Sequence, residues 1–389
     1  MKKIAAFITS AIICIIIISV FHFGFSHDLR LNNKEFGTWY NPFKDLASGV
    51  IAQNLHGDTM PVFGSSEFKH GRQTIYHPKN IFRNHSVSLM TIGGPYNQCL
   101  NHTVMLGAIS PNMKKRKAVL LLSPTWFYKN GVRPDRYGLR FSESAYMSFM
   151  ENKTIPDETK RYVANRTESL MADSGSVLHR IMEIDRIFVD KKAGEIAKLA
   201  YGLRKRYVRD KDVLTLKGLL KAEQIKKKKK YVSKENDETP IDWDEMFAKA
   251  KNETFKTNNP YYIRARNWNL KFKHRFKIAK NLHKKENFLR SPEYDDLEAF
   301  LQVCRAEKIK PLLVILPLNG RWYDYTGLKK DKRKVFADKI TEYAQAYGAK
   351  LENFSKYDYV PYFLFDAAHP AGQGWVKIDE AIYDYYKEN

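Results

Sequence analysis

Apolar positions along the chain fall into two kinds of run. The first is one long stretch from Ile4 to Phe25, broken by polar side chains only at Thr9, Ser10, Ser19 and His22, with Lys2 and Lys3 before it. Roughly 20 apolar residues in a helix cross a bilayer, so this stretch predicts a membrane-spanning helix. A cleaved secretory signal has a shorter core of ~7–15 residues and a small-residue cleavage site. No A-x-A-like site follows here, and Ile13 before Cys14 does not suit lipoprotein processing. A buried core helix is the alternative, but the terminal position and the leading basic flank favour a membrane. Lys2 and Lys3 favour a cytoplasmic N-terminus, with the body from about His27 onward outside the cytoplasmic membrane.

The second kind of run is short. Met60–Phe63, Ser88–Ile92, Ala118–Leu122, Leu312–Leu316 and Tyr362–Phe365 have strand length, and most end in a Gly-, Ser- or Pro-containing turn. Buried parallel strands read this way. Helical patterns lie between them, among them Glu298–Lys308 and Lys332–Tyr347. Strands and helices alternating at this spacing predict an α/β domain with a central parallel sheet. From about Asn130 to Arg290 the pattern is helical, with few strand signals. The chain shows no fixed-period repeat and no Pro- or Ser-rich linker. The expected organisation is a membrane anchor over 1–26 and one domain over 27–389, with a basic helical insertion at about 130–290.

Charge changes the picture next. Among 389 residues there are 66 Lys or Arg and 43 Asp or Glu, for a net charge of +23. Such an excess points to a polyanionic partner. A body outside the cytoplasm makes nucleic acid an unsuitable one, leaving an anionic membrane face or an acidic polymer. Residues 201–230 hold 12 basic side chains against 3 acids and end in Lys226, Lys227, Lys228, Lys229 and Lys230. Residues 261–290 hold 10 against 1, with Tyr261, Tyr262, Trp268, Phe272 and Phe276 interleaved. The lysine run can be a solvated helix face. The aromatic-interleaved stretch suits a headgroup layer or a phosphate polymer equally, and the letters do not separate these uses. With 43% hydrophobic residues the chain can bury a large core, which excludes a disordered protein. Cys14, Cys99 and Cys304 are too few and too scattered for a zinc site or a disulfide framework. No metal or cofactor is expected.

Candidate chemistry lies at two strand exits. Pro61-Val62-Phe63-Gly64-Ser65-Ser66-Glu67 runs from an apolar strand into a Gly-Ser-Ser turn. A serine there can present its hydroxyl at the carboxyl edge of the sheet, where sites in open α/β folds sit. Ser66 as a helix N-cap fits the same letters. Near the other end, Phe365-Asp366-Ala367-Ala368-His369-Pro370 follows an apolar run. Asp and His three apart in one turn let the carboxylate fix the imidazole tautomer and leave the other nitrogen as a base.

Taken in this order, the Gly-x-Ser exit and the Asp-x-x-His turn resemble the SGNH (GDSL-like) hydrolases. The resemblance implies Ser66 as nucleophile, Asp366 as orienting acid and His369 as general base. It also implies an oxyanion-hole amide at Gly93 or Gly94, in Thr91-Ile92-Gly93-Gly94. The Gly-x-Asn-Asp block of those hydrolases is absent. Ser123-Pro124-Thr125-Trp126-Phe127 stands there instead, and Asn319 is a possible substitute donor. These departures, with Asn319-Gly320-x-Trp322-Tyr323-Asp324, Trp243-Asp244-Glu245-Met246, Gly374-Trp375 and the N-terminal anchor, resemble the DltD family, the D-alanine transfer proteins of Gram-positive cell walls.

That resemblance implies a membrane-anchored protein that helps esterify teichoic acid with D-alanine. Its implied partners are the membrane O-acyltransferase DltB and the D-alanyl carrier protein DltC, directly or through DltB. Three functions fit: a serine acyltransferase, a thioesterase or esterase acting on D-alanyl carrier or polymer, and a non-catalytic scaffold. A D-alanyl ammonium would want local acidity beside the site; Glu67 is a candidate, although a surface carboxylate is the simpler account of it.

Overall fold

The structure is a computed structural model that describes residues 2–26, 28–232 and 240–388. The expected boundary at His27 and residues 233–239 of the insertion lie outside the described residues. The apolar N-terminal stretch forms a helix, Lys2–Phe21, continued by a wider turn at His22–Ser26. Its apolar side chains point outward, with Phe7 75% and Ile15 62% exposed. A helix that long, apolar and uncovered is consistent with a membrane span.

The body is built on a parallel sheet of five strands: β1 Met60–Phe63, β2 Leu89–Ile92, β3 Lys117–Leu122, β4 Lys310–Ile315 and β5 Lys350–Asn353. They lie side by side in the order β2-β1-β3-β4-β5. Phe63 is in register with Ile92, Val62 with Val119, Ile315 with Leu122, and Ile315 with Asn353. Side chains alternate between the faces, as strands require. Phe63, Ile92, Leu120, Leu122, Leu313 and Ile315 meet the helices Cys99–Ile109, Glu143–Glu151 and Pro292–Ala306 in the larger core. Val62, Val119, Leu121, Leu312 and Val314 meet Trp375, Val376, Ile378 and Ile382 of the helix Gly372–Lys387. Burial on both faces explains why four strands read as continuous apolar runs.

The fifth strand departs from expectation. Tyr362–Phe365 is not a sheet strand: Tyr362 has φ +62°, and Leu364 pairs only with Pro370 of the same loop. The sheet instead ends on Lys350–Asn353, whose side chains are half-exposed or exposed. Phe363 and Leu364 are apolar because that loop is itself buried. Between β3 and β4 the chain is mainly helical, with Glu195–Ala222 its longest helix at 28 residues.

The topology also fixes where a site can form. The chain passes from β1 outward to β2, then returns to place β3 on the other side of β1. That reversal opens a crevice at the carboxyl ends of β1 and β3. Ser66 follows β1 there.

Candidate active site

After β1 the chain bends at Gly64 and starts a short helical turn, Ser66–Lys69. The loop after β2 crosses close beneath it. Gly93 has φ +148°, and a Cβ there would stand 1.9 Å from the Gly64 carbonyl oxygen. Only glycine permits this approach. Ser65 and Ser66 then diverge. Ser65 is buried and its hydroxyl donates to the Gly94 carbonyl at 3.0 Å, whereas Ser66 is half-buried and its Oγ lies 2.8 Å from His369 Nε2.

His369 arrives from the loop after β5. The Phe365 N–H donates to the His369 carbonyl at 2.8 Å, the Ala371 N–H to Phe363 at 2.9 Å, and the Leu364–Pro370 bridge closes the loop. Inside it Asp366 Oδ1 accepts the N–H groups of Ala368 and His369, each at 3.1 Å. Both its carboxylate oxygens lie 2.9 Å from His369 Nδ1. The three side chains singled out in the sequence therefore meet in one hydrogen-bonded series, Asp366–His369–Ser66.

The electrostatics follow from that series. Burial alone would push Asp366 up, but the His369 charge and hydrogen bond and the two backbone donors outweigh it, holding the carboxyl well below its usual range. Burial pulls His369 down, and the Asp366 charge and hydrogen bond, helped by Glu67, overcome it and raise the imidazole. His70 stacks on His369 with ring centroids 3.8 Å apart and planes at 19°. Burial, with the nearby His369 charge, lowers His70 to about 4. His70 is thus neutral near pH 7.

Several residues near the site have roles that spacing did not reveal. Glu67 is 3% exposed, so it is not a surface carboxylate; its Oε1 accepts the Ser65 N–H at 2.5 Å and braces the turn. Trp375 Nε1 donates to the His70 carbonyl at 3.0 Å and ties that turn to the last helix. The amide of Gly94 donates to Asn97 Oδ1 at 3.0 Å, and the Gly93 backbone lies near enough to the buried Asp45 carboxylate to favour its charged form. The Asn319 side-chain nitrogen faces the carbonyls of Tyr261 at 2.8 Å and Asp366 at 3.5 Å. Its oxygen accepts the Trp322 N–H, and its own N–H donates to Ala367 at 2.8 Å. In this state Asn319 braces the Asp366 loop from below. His70, Asp366 and His369 bring ligand-type atoms within 4.8 Å of one another. Both Asp366 oxygens already meet His369 Nδ1 and Nε2 faces Ser66, so only His70 would offer a fresh ligand.

The two basic stretches part company. Tyr261, Trp268 and Phe276 pack on one another and on Trp322 and Tyr325, with the stacked rings of Phe276 and Tyr325 4.5 Å apart. Aromatic area of this size buries readily once partners exist. The cations between them point outward. Lys271 is near enough to act on both His70 and His369, and the Arg264 N–H donates to Phe365 at 2.9 Å. Lys69, Arg264, Glu253 and Tyr76 line a cleft of about 390 Å³ that His70 and Phe365 share. Lys226–Lys230 lie elsewhere in the chain's packing: the Lys228 N–H donates to Leu31 at 2.8 Å and Asn33 Nδ2 to Lys226 at 2.8 Å, with all five side chains exposed.

The sheet, its helical layers and the Ser66 turn define an α/β protein of SGNH/GDSL-like architecture carried on a membrane-spanning helix. Within that class, the family model described as DltD protein matches residues 35–387. The chain is similar to Protein DltD of Bacillus subtilis (strain 168), 28% identical over 376 residues, covering 94% of this chain and 91% of the relative. It is similar to Protein DltD of Staphylococcus aureus (strain NCTC 8325 / PS 47) at 25% over 338 residues, covering 84% and 81%. Against Protein DltD of Lacticaseibacillus rhamnosus the identity is 24% over 367 residues, covering 88% and 84%. The chain belongs to the DltD family, and with that membership comes the association with teichoic-acid D-alanylation.

Proposed function

We propose that the protein transfers D-alanyl groups to teichoic acid through an acyl-serine intermediate on Ser66, at the outer face of the cytoplasmic membrane. The observation that carries this reading is the Asp366–His369–Ser66 series at the carboxyl edge of the sheet. The ionised Asp366 accepts the Nδ1–H of His369 and so leaves Nε2 with its lone pair toward Ser66. His369 takes the Ser66 proton as Oγ attacks the alanyl carbonyl, then gives it to the departing group of the donor. In the second half a glycerol- or ribitol-phosphate hydroxyl loses its proton to His369 and attacks the ester, and Ser66 leaves with that proton. Two easier displacements replace one hard one.

The neutral His70 face suits this cycle, since a second cation against the ring would oppose the imidazolium. Lys69, Arg264 and Lys271 suit a phosphate chain laid beside the serine. The oxyanion donors remain Gly93, Gly94 and Asn319; the Gly94 amide and the Asn319 side chain now meet protein acceptors, so their role requires those bonds to lengthen in the transition state. The donor comes from a DltB-like membrane O-acyltransferase, supplied in turn by the D-alanyl carrier DltC. Lys2 and Lys3 stay in the cytoplasm and the body outside.

The testing experiment presents full-length protein in vesicles with a labelled D-alanyl donor, with and without lipoteichoic acid. Label moving to the polymer supports the transferase. Free D-alanine in both arms replaces it with the hydrolase reading, and an unreacted donor with the scaffold.

A further inference from the structure

The helix Glu195–Ala222 presents two unlike faces. Val208, Val213, Leu216 and Leu220 face the core and are nearly inaccessible. On the opposite face Ile196 is 86% exposed, Leu199 66%, Leu203 60%, Tyr207 57% and Leu214 38%. Their spacing of three, four, four and seven residues makes one continuous stripe at helical period. Asp210 sits on that stripe, between Tyr207 and Leu214. Its carboxylate is 2.6 Å from Nδ1 of His22, the residue directly after the membrane-spanning helix. The span therefore emerges against the apolar face of this helix, not against its buried face.

We propose that the exposed stripe of Glu195–Ala222 lies in the membrane interface, as an amphipathic second contact with anionic phospholipid beside the span. Continuity with the span supplies the first argument. A residue at the end of the Lys2–Phe21 helix stands where the hydrocarbon ends, so the face it touches is at that depth. Exposed apolar side chains in a contiguous row mark a surface that meets something other than water. Charge supplies the second. Asp210 is the one acid of the stripe, and it is bonded to His22. Arg206 and Lys221 are exposed beside the stripe, and Lys226–Lys230 follow the helix. The Lys228–Leu31 bond holds that lysine run to the chain just beyond the span. Apolar residues in the acyl boundary and lysines on anionic headgroups are the two parts of an interfacial helix. The inference stands apart from the proposed reaction. Its consequence is that the body is held by two contacts and cannot swivel freely about the span.

The test labels full-length protein at Leu199→Cys, Leu203→Cys or Lys334→Cys, each with Cys14→Ser; Cys99 and Cys304 are buried and stay unlabelled. Lys334 is an exposed control on another helix. Spin labels are compared, in vesicles of phosphatidylcholine mixed with phosphatidylglycerol, for collision with oxygen and with a water-soluble nickel complex. The expected result is several-fold less nickel and more oxygen access at Leu199→Cys and Leu203→Cys than at Lys334→Cys. Replacing Lys226–Lys230 with glutamine should shrink that difference in anionic vesicles. Equal nickel access at all three positions overturns the proposal. Protection found only in native membranes, and not in pure lipid, overturns it in favour of a membrane-protein partner.

Discussion

His70 lies flat against His369, with ring centroids 3.8 Å apart and planes at 19°, yet the two imidazoles shift in opposite directions. Both are pulled down by loss of water. His369 has Asp366 on its Nδ1 and rises; His70 has the His369 charge beside it and falls to about 4. One ring can take a proton in the working pH range, and its neighbour does not compete for it.

A pH prediction follows for activity. In the proposed cycle His369 serves as a base only when neutral, and its affinity for the proton is raised, so transfer should fall on the acid side with a midpoint above the ordinary ~6.5 of histidine. The pH profile of kcat/KM measures it. Asp366→Asn removes the charge that opposes burial, so that midpoint should move below the ordinary value. The rate should drop by up to about 10⁴-fold through loss of tautomer control.

The linked effect on stability has the opposite sign for the two rings. The raised His369 contributes stability that is whole below its unfolded value and is lost as pH rises through the folded one. The lowered His70 instead costs stability as pH falls from ~6.5 toward about 4, because only the unfolded chain takes the proton there. His70→Phe keeps a stacked ring without the penalty. Its unfolding free energy should fall less between neutral and acid pH than the wild type's, by on the order of 1–2 kcal/mol after screening of a partly exposed group. Urea midpoints at both pH values decide it, and an identical fall in the two proteins would refute the assignment.

Gly93 offers a test of the scaffold beneath the serine. An alanine there would put a Cβ 1.9 Å from the Gly64 oxygen at a φ that favours glycine. Gly93→Ala should cost about 3 kcal/mol or more by strain and displacement of the Ser66 turn. Gly348→Ala, at φ +63° with nothing within 4 Å of its Cβ, carries the backbone strain alone and should cost ~1 kcal/mol. Denaturant midpoints separate the two.

How much of this was legible depended on what each side chain had to satisfy. β1 to β4 are apolar on both faces and stood out as runs; β5, Lys350–Asn353, is an edge with polar letters and did not. Tyr362–Phe365 imitated a strand because a buried loop needs apolar residues as much as a sheet does. Ser66, Asp366 and His369 could be picked out because two of them are three residues apart and the third follows a strand. Glu67 could not, since a carboxylate buried to hold a neighbouring N–H has the same letter as one in water. Contacts across the whole chain, such as Trp375 to His70 or His22 to Asp210, leave no local spacing to read.

Glu67 makes a separable contribution. Its carboxylate holds the Ser65 N–H and helps raise His369, while burial raises its own value. Glu67→Gln presents a carbonyl in place of the carboxylate and should keep most of the fold, yet the acid midpoint of activity should shift down. Glu67→Ala leaves a buried N–H without its acceptor and should destabilise by ~1–3 kcal/mol. A midpoint unchanged in Glu67→Gln would mean the carboxylate has no electrostatic part.

The adjacent serines give the sharpest test of the proposed chemistry. Ser65 and Ser66 share one turn, one strand and one letter, but Ser65 Oγ donates into the Gly94 carbonyl and Ser66 Oγ meets His369 Nε2. Only the second hydroxyl has a base to take its proton. A serine-directed fluorophosphonate should label the wild type and Ser65→Ala, and should fail on Ser66→Ala and His369→Ala. D-alanyl transfer should follow the same division. Ser65→Ala loses a buried hydrogen bond worth ~1 kcal/mol and should keep most activity. Ser66→Ala should lose nearly all of it, down to the ~10³–10⁴-fold enhancement over water that binding and oxyanion contacts leave when a triad member is gone. Labelling of Ser66→Ala at the wild-type rate would move the nucleophile elsewhere. Full restoration of teichoic-acid D-alanylation by Ser66→Ala in cells lacking the native protein would remove catalysis from the site, leaving Ser66 as the cap of a structural turn.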